Sequence, residues 1–353
     1  MNIVAQRLLS QHLAGESWAH PAEVVQGLGA VQAQDYTQAL WAIGVRLASA
    51  TVGTVTQAIT DRQILRTWPM RGTIHFVPAV DAKWLVNLSA PRMLARDGRR
   101  QALLELNETI LGQCKDLCVA ALADGQPMPR PALLQLFEDA GIRTQPSRGY
   151  HILWYLAQTG VLCFGPMQGK QPTFVLLDAW VPHARVLDRD EALATLAGRY
   201  IAGHGPATAH DFAWWAGLTL TDARRGLAAA TPQLRQQQSD TSTYWLAADA
   251  PAQAQLDHTA VQLLPGFDEY LLGYQDRSAM LAAEHAPHIV PGSNGIFQPM
   301  IVVAGQIVGT WKRAARQNSL GATLNPLRDV APYAPQLAQA AAQYRAFWET
   351  TPR

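Results

Sequence analysis

Three times along this chain, short amphipathic helical segments give way to two strand-like runs joined by a turn. No other feature constrains the fold as much. In the first set, residues 3–13 place Ile3, Val4, Leu8, Leu9 and Leu13 on one apolar stripe that Gly15 stops. Pro21 and Glu23 suit the start of a second helix, and Val55, Ile59, Ile64 and Leu65 mark another. From Leu65 to Pro78 apolar and polar residues roughly alternate around Pro69-Met70-Arg71-Gly72, the pattern of a hairpin. Asp81 is placed to cap a helix carrying Trp84, Leu85 and Leu88. The second set has helices over 131–140 and, capped by Ser147, over 151–156, then strands over 161–164 and 173–177. The third has a helix over 193–201, Thr208 capping 211–216 and Thr221 capping 222–230. Its strands, 234–237 and 243–246, pair across Ser239-Asp240-Thr241-Ser242.

Helix, helix-turn-helix and hairpin is the winged-helix plan. The expectation is an α+β chain of tandem winged-helix units, 1–120, 121–188 and 189–256, followed by a β-rich segment, 257–353. In that last segment residues 261–264, 271–274 and 296–307 are strand-like, and 302–309 looks like a tight hairpin. Residues 335–348 predict a helix packing through Leu337, Tyr344 and Trp348. No low-complexity linker separates the segments, so they should pack together.

The net charge of +1 conceals segregation. Residues 62–100 carry a basic surplus of six, 141–170 of three and 305–328 of four, mostly as arginine, which suits forked contacts to phosphate. Trp68 between Arg66 and Arg71 is an aromatic among guanidiniums, a combination suited to a nucleic-acid surface. Thr73 and His75 on the same hairpin, Arg148, and the pair Lys312-Arg313 complete the candidate contacts.

Other chemistries find little support. There is no Gly-X-Ser-X-Gly, phosphate-loop or dinucleotide fingerprint. Cys114 and Cys118 read as small core thiols, His285-Ala-Pro-His288 as a loop, and His204 and His210 as surface or capping groups, so no metal or organic cofactor is expected. The longest apolar run, Leu117 to Ala123, falls far short of the ~20 residues that span a bilayer. The N-terminus lacks an export pattern, and a cytoplasmic, nucleoid-associated monomer is expected.

The segment Gly29-Ala-Val-Gln-Ala-Gln-Asp-Tyr36 sets two glutamines around one small apolar residue. Read alone, it is a polar turn between helices. It resembles the glutamine–aliphatic–glutamine motif of the azinomycin-resistance, AlkZ-like winged-helix DNA glycosylases. Four further segments agree in order: Arg66-Thr-Trp-Pro-Met-Arg-Gly-Thr-Ile-His75, Gly205-Pro-Ala-Thr-Ala-His-Asp-Phe212, Leu263-Leu-Pro-Gly-Phe-Asp-Glu-Tyr-Leu-Leu-Gly273 and Val308-Gly-Thr-Trp-Lys-Arg313. The resemblance implies a DNA channel, a duplex-holding hairpin within residues 297–311, and hydrolysis of the N-glycosidic bond of alkylated purines in duplex DNA, including interstrand crosslinks. It makes Gln32 and Gln34 the catalytic pair, with Asp35 as a possible negative charge. Ala33 is smaller than the usual branched aliphatic, and a related branch carries aspartate where Gln34 stands. The alternative is a winged-helix DNA-binding regulator without catalysis, disfavoured by three fused units and no dimerisation segment.

An amide is neither acid nor base at pH 7. An N7- or N3-alkylated purine is already cationic and leaves without protonation. Two amides at i and i+2 lie ~200° apart on a helix but share a side, ~6.5–7 Å apart, on extended chain. Gln32 and Gln34 are therefore expected where the helix has ended, with both amides facing the channel.

Overall fold

A computed structural model describes residues 1–239, 242–292, 295–314 and 321–349. The chain packs as two compact units, one of Met1–Thr56 with Leu193–Arg353, the other of Gln57–Ala192. Helices and antiparallel strands make the α+β class expected from the sequence. Among the described residues no helix is long and apolar enough to cross a membrane.

In the second unit, helix Glu108–Ala121 is followed by the two-residue strand Met128–Pro129, helices Arg130–Asp139 and Arg148–Gln158, and the hairpin Leu162–Phe164/Thr173–Leu176. Met128 and Pro129 pair with Phe174 and Thr173 on the second hairpin strand. The other hairpin, Ile64–Thr67/His75–Pro78, joins this sheet where Arg66 pairs with Phe164.

The same order recurs in the first unit. Helix Arg189–His204 reaches into it and leads to Ala207, then to helices Ala209–Ala216 and Leu220–Ala229 and the hairpin Leu234–Gln238/Thr243–Ala247. Ala207 bridges to Trp245 on the second hairpin strand. Thr208 caps as expected, in a capping box with Asp211. The next helix is capped by Thr219, not Thr221. The tip residues Asp240 and Thr241 lie outside the described residues.

The C-terminal segment forms an antiparallel sheet in the order Ala322–Pro326, Gln306–Arg313, Met300–Val303, Val261–Leu264. Helix Ala334–Trp348 packs on it through Leu337, Tyr344 and Phe347, with the Tyr344 ring edge-on to Trp311 at 4.7 Å and to Trp41 at 5.2 Å. Phe347, rather than the expected Trp348, is the deeply buried aromatic at the helix end. Residues 271–274, expected as strand, belong instead to a helical turn, Glu269–Leu272, followed by Gly273 and Tyr274. The Asp268 side chain accepts the Tyr270 N–H at 2.8 Å and starts that turn. A four-residue apolar run carries no periodicity that separates a turn of helix from a strand.

Candidate active site

The helix Pro21–Gly27 ends before Gly29, whose φ of +80° takes the left-handed region that glycine tolerates. Val31 and Gln32 then form a two-residue strand, Gln34 and Asp35 a bend, and Tyr36–Gly44 the next helix. Neither glutamine lies in a helix, as the i, i+2 spacing required. In chain order this strand holds the place that Met128–Pro129 and Ala207 hold in the other sets. Extended geometry at the motif is thus the fold's own provision. Both amides were expected to face one channel, but the two residues differ in exposure: Gln32 is 8% exposed, whereas Gln34 is open to solvent.

Asp35 does not supply the inward charge considered for it. It is exposed, and its Oδ1 accepts the Gln38 N–H at 3.1 Å as the N-cap of Tyr36–Gly44. The Gln38 side chain in turn accepts the Gly266 N–H at 2.9 Å.

The carboxylate behind the motif is Glu269, a residue that sequence reasoning passed over. It is 1% exposed. Its Oε1 accepts the backbone N–H of Gln32 at 3.1 Å, and its Oε2 accepts the Trp215 indole N–H at 2.8 Å. The His204 Nε2 lies 3.4 Å from the same Oε2, and its Nδ1 lies 3.2 Å from the Tyr200 carbonyl oxygen. His204 is fully buried, contrary to the surface or capping role expected of it. Its ring stacks on Tyr200 at 4.7 Å. A Cβ on Gly273 would lie 2.4 Å from the His204 Cδ2, so the imidazole fills the space a side chain there would need.

Asp268, next in the chain, has a different task. Its carboxylate grips Arg46 through two bonds of 2.8 Å, both side chains being fully buried. The guanidinium also donates to the Gln11 carbonyl, the Gln11 side-chain oxygen and the Ala42 carbonyl, so all five of its N–H groups are satisfied. The clamp ties the segment before Glu269 to the N-terminal helices. The available signal was two adjacent acids, Asp268-Glu269, inside the otherwise apolar run Leu263 to Tyr274. Acids in such a run are buried and partnered.

Several expected DNA contacts are buried in the fold. Trp68 is 1% exposed, stacked on Phe164 at 4.4 Å, with its indole N–H donated to the Tyr150 hydroxyl. No face is left for a base. Arg66 is buried with its guanidinium 4.6 Å from the Phe164 ring centre. His75 is fully buried, with Nδ1 2.9 Å from the Thr73 carbonyl oxygen. Arg148 is buried and donates to the carbonyls of Leu104, Arg143 and Glu105. In each case a core requirement outweighs the surface pattern. Arg71 and Thr73 are half-buried at the turn, and Lys312 and Arg313 are exposed on strand Gln306–Arg313.

The tight turn expected near residues 302–309 forms at Ala304-Gly305, both at positive φ. Gly305 packs on Val4 and Leu8, so this tip is buried and is not a free hairpin. A basic surface does exist in the 62–100 window: Arg96, Arg99 and Arg100 are exposed and make no ion pair among the described residues. Cys114 and Cys118 are buried core thiols, as expected.

Comparison with known proteins adds the rest. The family profile of DNA glycosylase AlkZ-like proteins matches residues 25–347. The chain is 27% identical over 338 residues to an interstrand DNA cross-link repair glycosylase of Streptomyces sahachiroi, covering 88% of this chain and 86% of that protein. The solved structure of Streptomyces sahachiroi DNA glycosylase AlkZ superposes with a TM-score of 0.80 at 24% identity, over 97% of this chain and 96% of that one, a likeness of fold. The chain belongs to the AlkZ-like DNA glycosylase family, hydrolases that act on N-glycosyl bonds of DNA.

Proposed function

We propose that this enzyme is a monofunctional glycosylase for alkylated, cationic purines in duplex DNA, with Gln32 and Gln34 as its catalytic residues. The observation that carries this reading is the geometry of the motif: an extended Val31–Gln32 strand leading into a bend, with Gln34 exposed and the Gln32 peptide anchored from behind. In the reaction the bond from C1′ to the purine nitrogen breaks and its electron pair neutralises the cationic base. Water then bonds to C1′ and releases a proton to solvent. The amide carbonyls offer dipoles to the oxocarbenium-like sugar and an acceptor to the attacking water. An amide nitrogen is not a nucleophile, so water is, and the enzyme is monofunctional. Neutral bases, which need protonation before they leave, are spared. The cross-link repair named for the Streptomyces sahachiroi relative supports extending the substrate range to crosslinked purines.

The test is base release from an N7-methylguanine duplex under single-turnover conditions. Gln34→Ala should lose about 10²–10³-fold in rate, the range for removing one preorganised electrostatic group, with DNA binding retained. Tight binding by the parent protein without any release would establish the regulator alternative instead.

A further inference from the structure

We propose that Glu269 is the positioning residue of the glutamine motif. Its carboxylate, shared among the Gln32 peptide N–H, the Trp215 indole and the His204 imidazole, sets the Val31–Gln32 strand. This inference rests on the catalytic reading of Gln32 and Gln34.

Three observations carry it. The bond from Gln32 to Glu269 joins residues 237 apart in the chain and lands on the backbone of the motif itself. It therefore controls where the motif's peptide sits, whatever the Gln32 side chain does. Glu269 is also held from a second side: Trp215 and His204 both meet Oε2, which leaves Oε1 to the Gln32 peptide. Finally, the neighbouring Asp268 clamp already ties this segment to the N-terminal helices. A second buried acid is not needed for that purpose. Burying a carboxylate is costly unless it is well bonded. A glutamine has a single carbonyl oxygen and would answer either the Gln32 N–H or the Trp215 indole N–H, with its NH2 turned against the other donor, whereas the carboxylate accepts both.

The experiment compares Glu269→Gln with the parent in the full chain, on the N7-methylguanine duplex. The single-turnover rate should fall about 10²-fold, the cost of misplacing a reacting group by an ångström. DNA affinity should change by less than about threefold, under 1 kcal/mol. Hydrogen exchange at the Gln32 amide should rise while the Tyr36–Gly44 helix stays protected. Trp215→Phe keeps the ring and removes the indole donor; it should lower the rate about tenfold, again without loss of affinity. A Glu269→Gln rate within about threefold of the parent, with Gln34→Ala inactive, overturns this proposal and leaves the glutamine reading intact. A parallel fall in rate, affinity and melting temperature overturns it too, as a purely structural role. If Glu269→Gln does not fold, Trp215→Phe decides: full rate overturns the proposal and a selective loss of rate supports it. An unimpaired Gln34→Ala would instead show the glutamine reading itself to be wrong.

Discussion

Replacing Asp268 with alanine should be among the most damaging single changes in the first unit. The substitution leaves the Arg46 guanidinium fully buried, with two of its five N–H bonds unanswered and its charge unopposed. Breaking a buried ion pair from one side costs about 3–5 kcal/mol. For a unit of roughly 220 residues each kcal/mol moves the melting temperature by about 2–4 °C, so calorimetry should find a fall of about 6–20 °C. A double-mutant cycle with Arg46→Met isolates the pair. The coupling energy should be about 2–3 kcal/mol, and it should persist at high salt because solvent does not reach the pair. The double variant will not recover parental stability, since the Gln11 and Ala42 oxygens lose their donor as well. Additive single effects, or a coupling that vanishes with salt, would refute the buried clamp.

Two further predictions concern other parts of the chain. Burial pushes the Cys114 thiol up to about 11 and the Cys118 thiol up to about 12. Neither should react with iodoacetamide at pH 8 until denaturant is added; rapid labelling of the folded protein would contradict the core packing. Because these folded values lie above those of the unfolded chain, their contribution to stability is complete below pH 9 and is lost as pH rises through 11 to 12. DNA binding should weaken steeply with salt, and Arg99→Ala or Lys312→Ala should each reduce the slope of log K against log salt by about 0.9. An unchanged slope in either variant would remove that side chain from the phosphate-contacting surface.

The repeating order of helices and hairpins was legible in the sequence because capping residues, stops and alternation are local signals. Thr208 with Asp211, the 234–247 hairpin and the terminal helix all formed close to where they were expected. The position of the glutamines outside a helix was expected because the family resemblance put both at one site, and residues i and i+2 share a side only on extended chain. What could not be read was which polar side chains the core would claim. Arg66, Trp68, His75 and Arg148 have the composition of a DNA surface, and each is buried by partners distant in sequence. Trp68 meets Tyr150 and Phe164; Arg148 meets Leu104. Glu269 escaped notice for the same reason in reverse. Its partners, Gln32, His204 and Trp215, are scattered along the chain, and only folding brings them together.

The placement of the two acids nearest the motif bears on how a neutral pair of amides can suffice. Asp35 lies one residue from Gln34, yet its carboxylate is turned to the start of a helix, where the Gln38 N–H and the positive end of the dipole hold it in water. A charge so exposed acts weakly on its surroundings because of the high dielectric of water. Glu269 lies far away in sequence but directly behind the Gln32 peptide, out of reach of solvent. The requirements of the proposed reaction divide accordingly. The departing base brings the positive charge that an acid catalyst would otherwise create. In that proposal the amides orient the water. The buried carboxylate holds the Gln32 peptide in place. A site built this way gains nothing from a base that is still neutral, because none of these groups delivers a proton. On the proposed mechanism, selectivity for alkylated purines follows from what the motif lacks as much as from what it holds, and it should survive any substitution at Asp35 that preserves the helix cap.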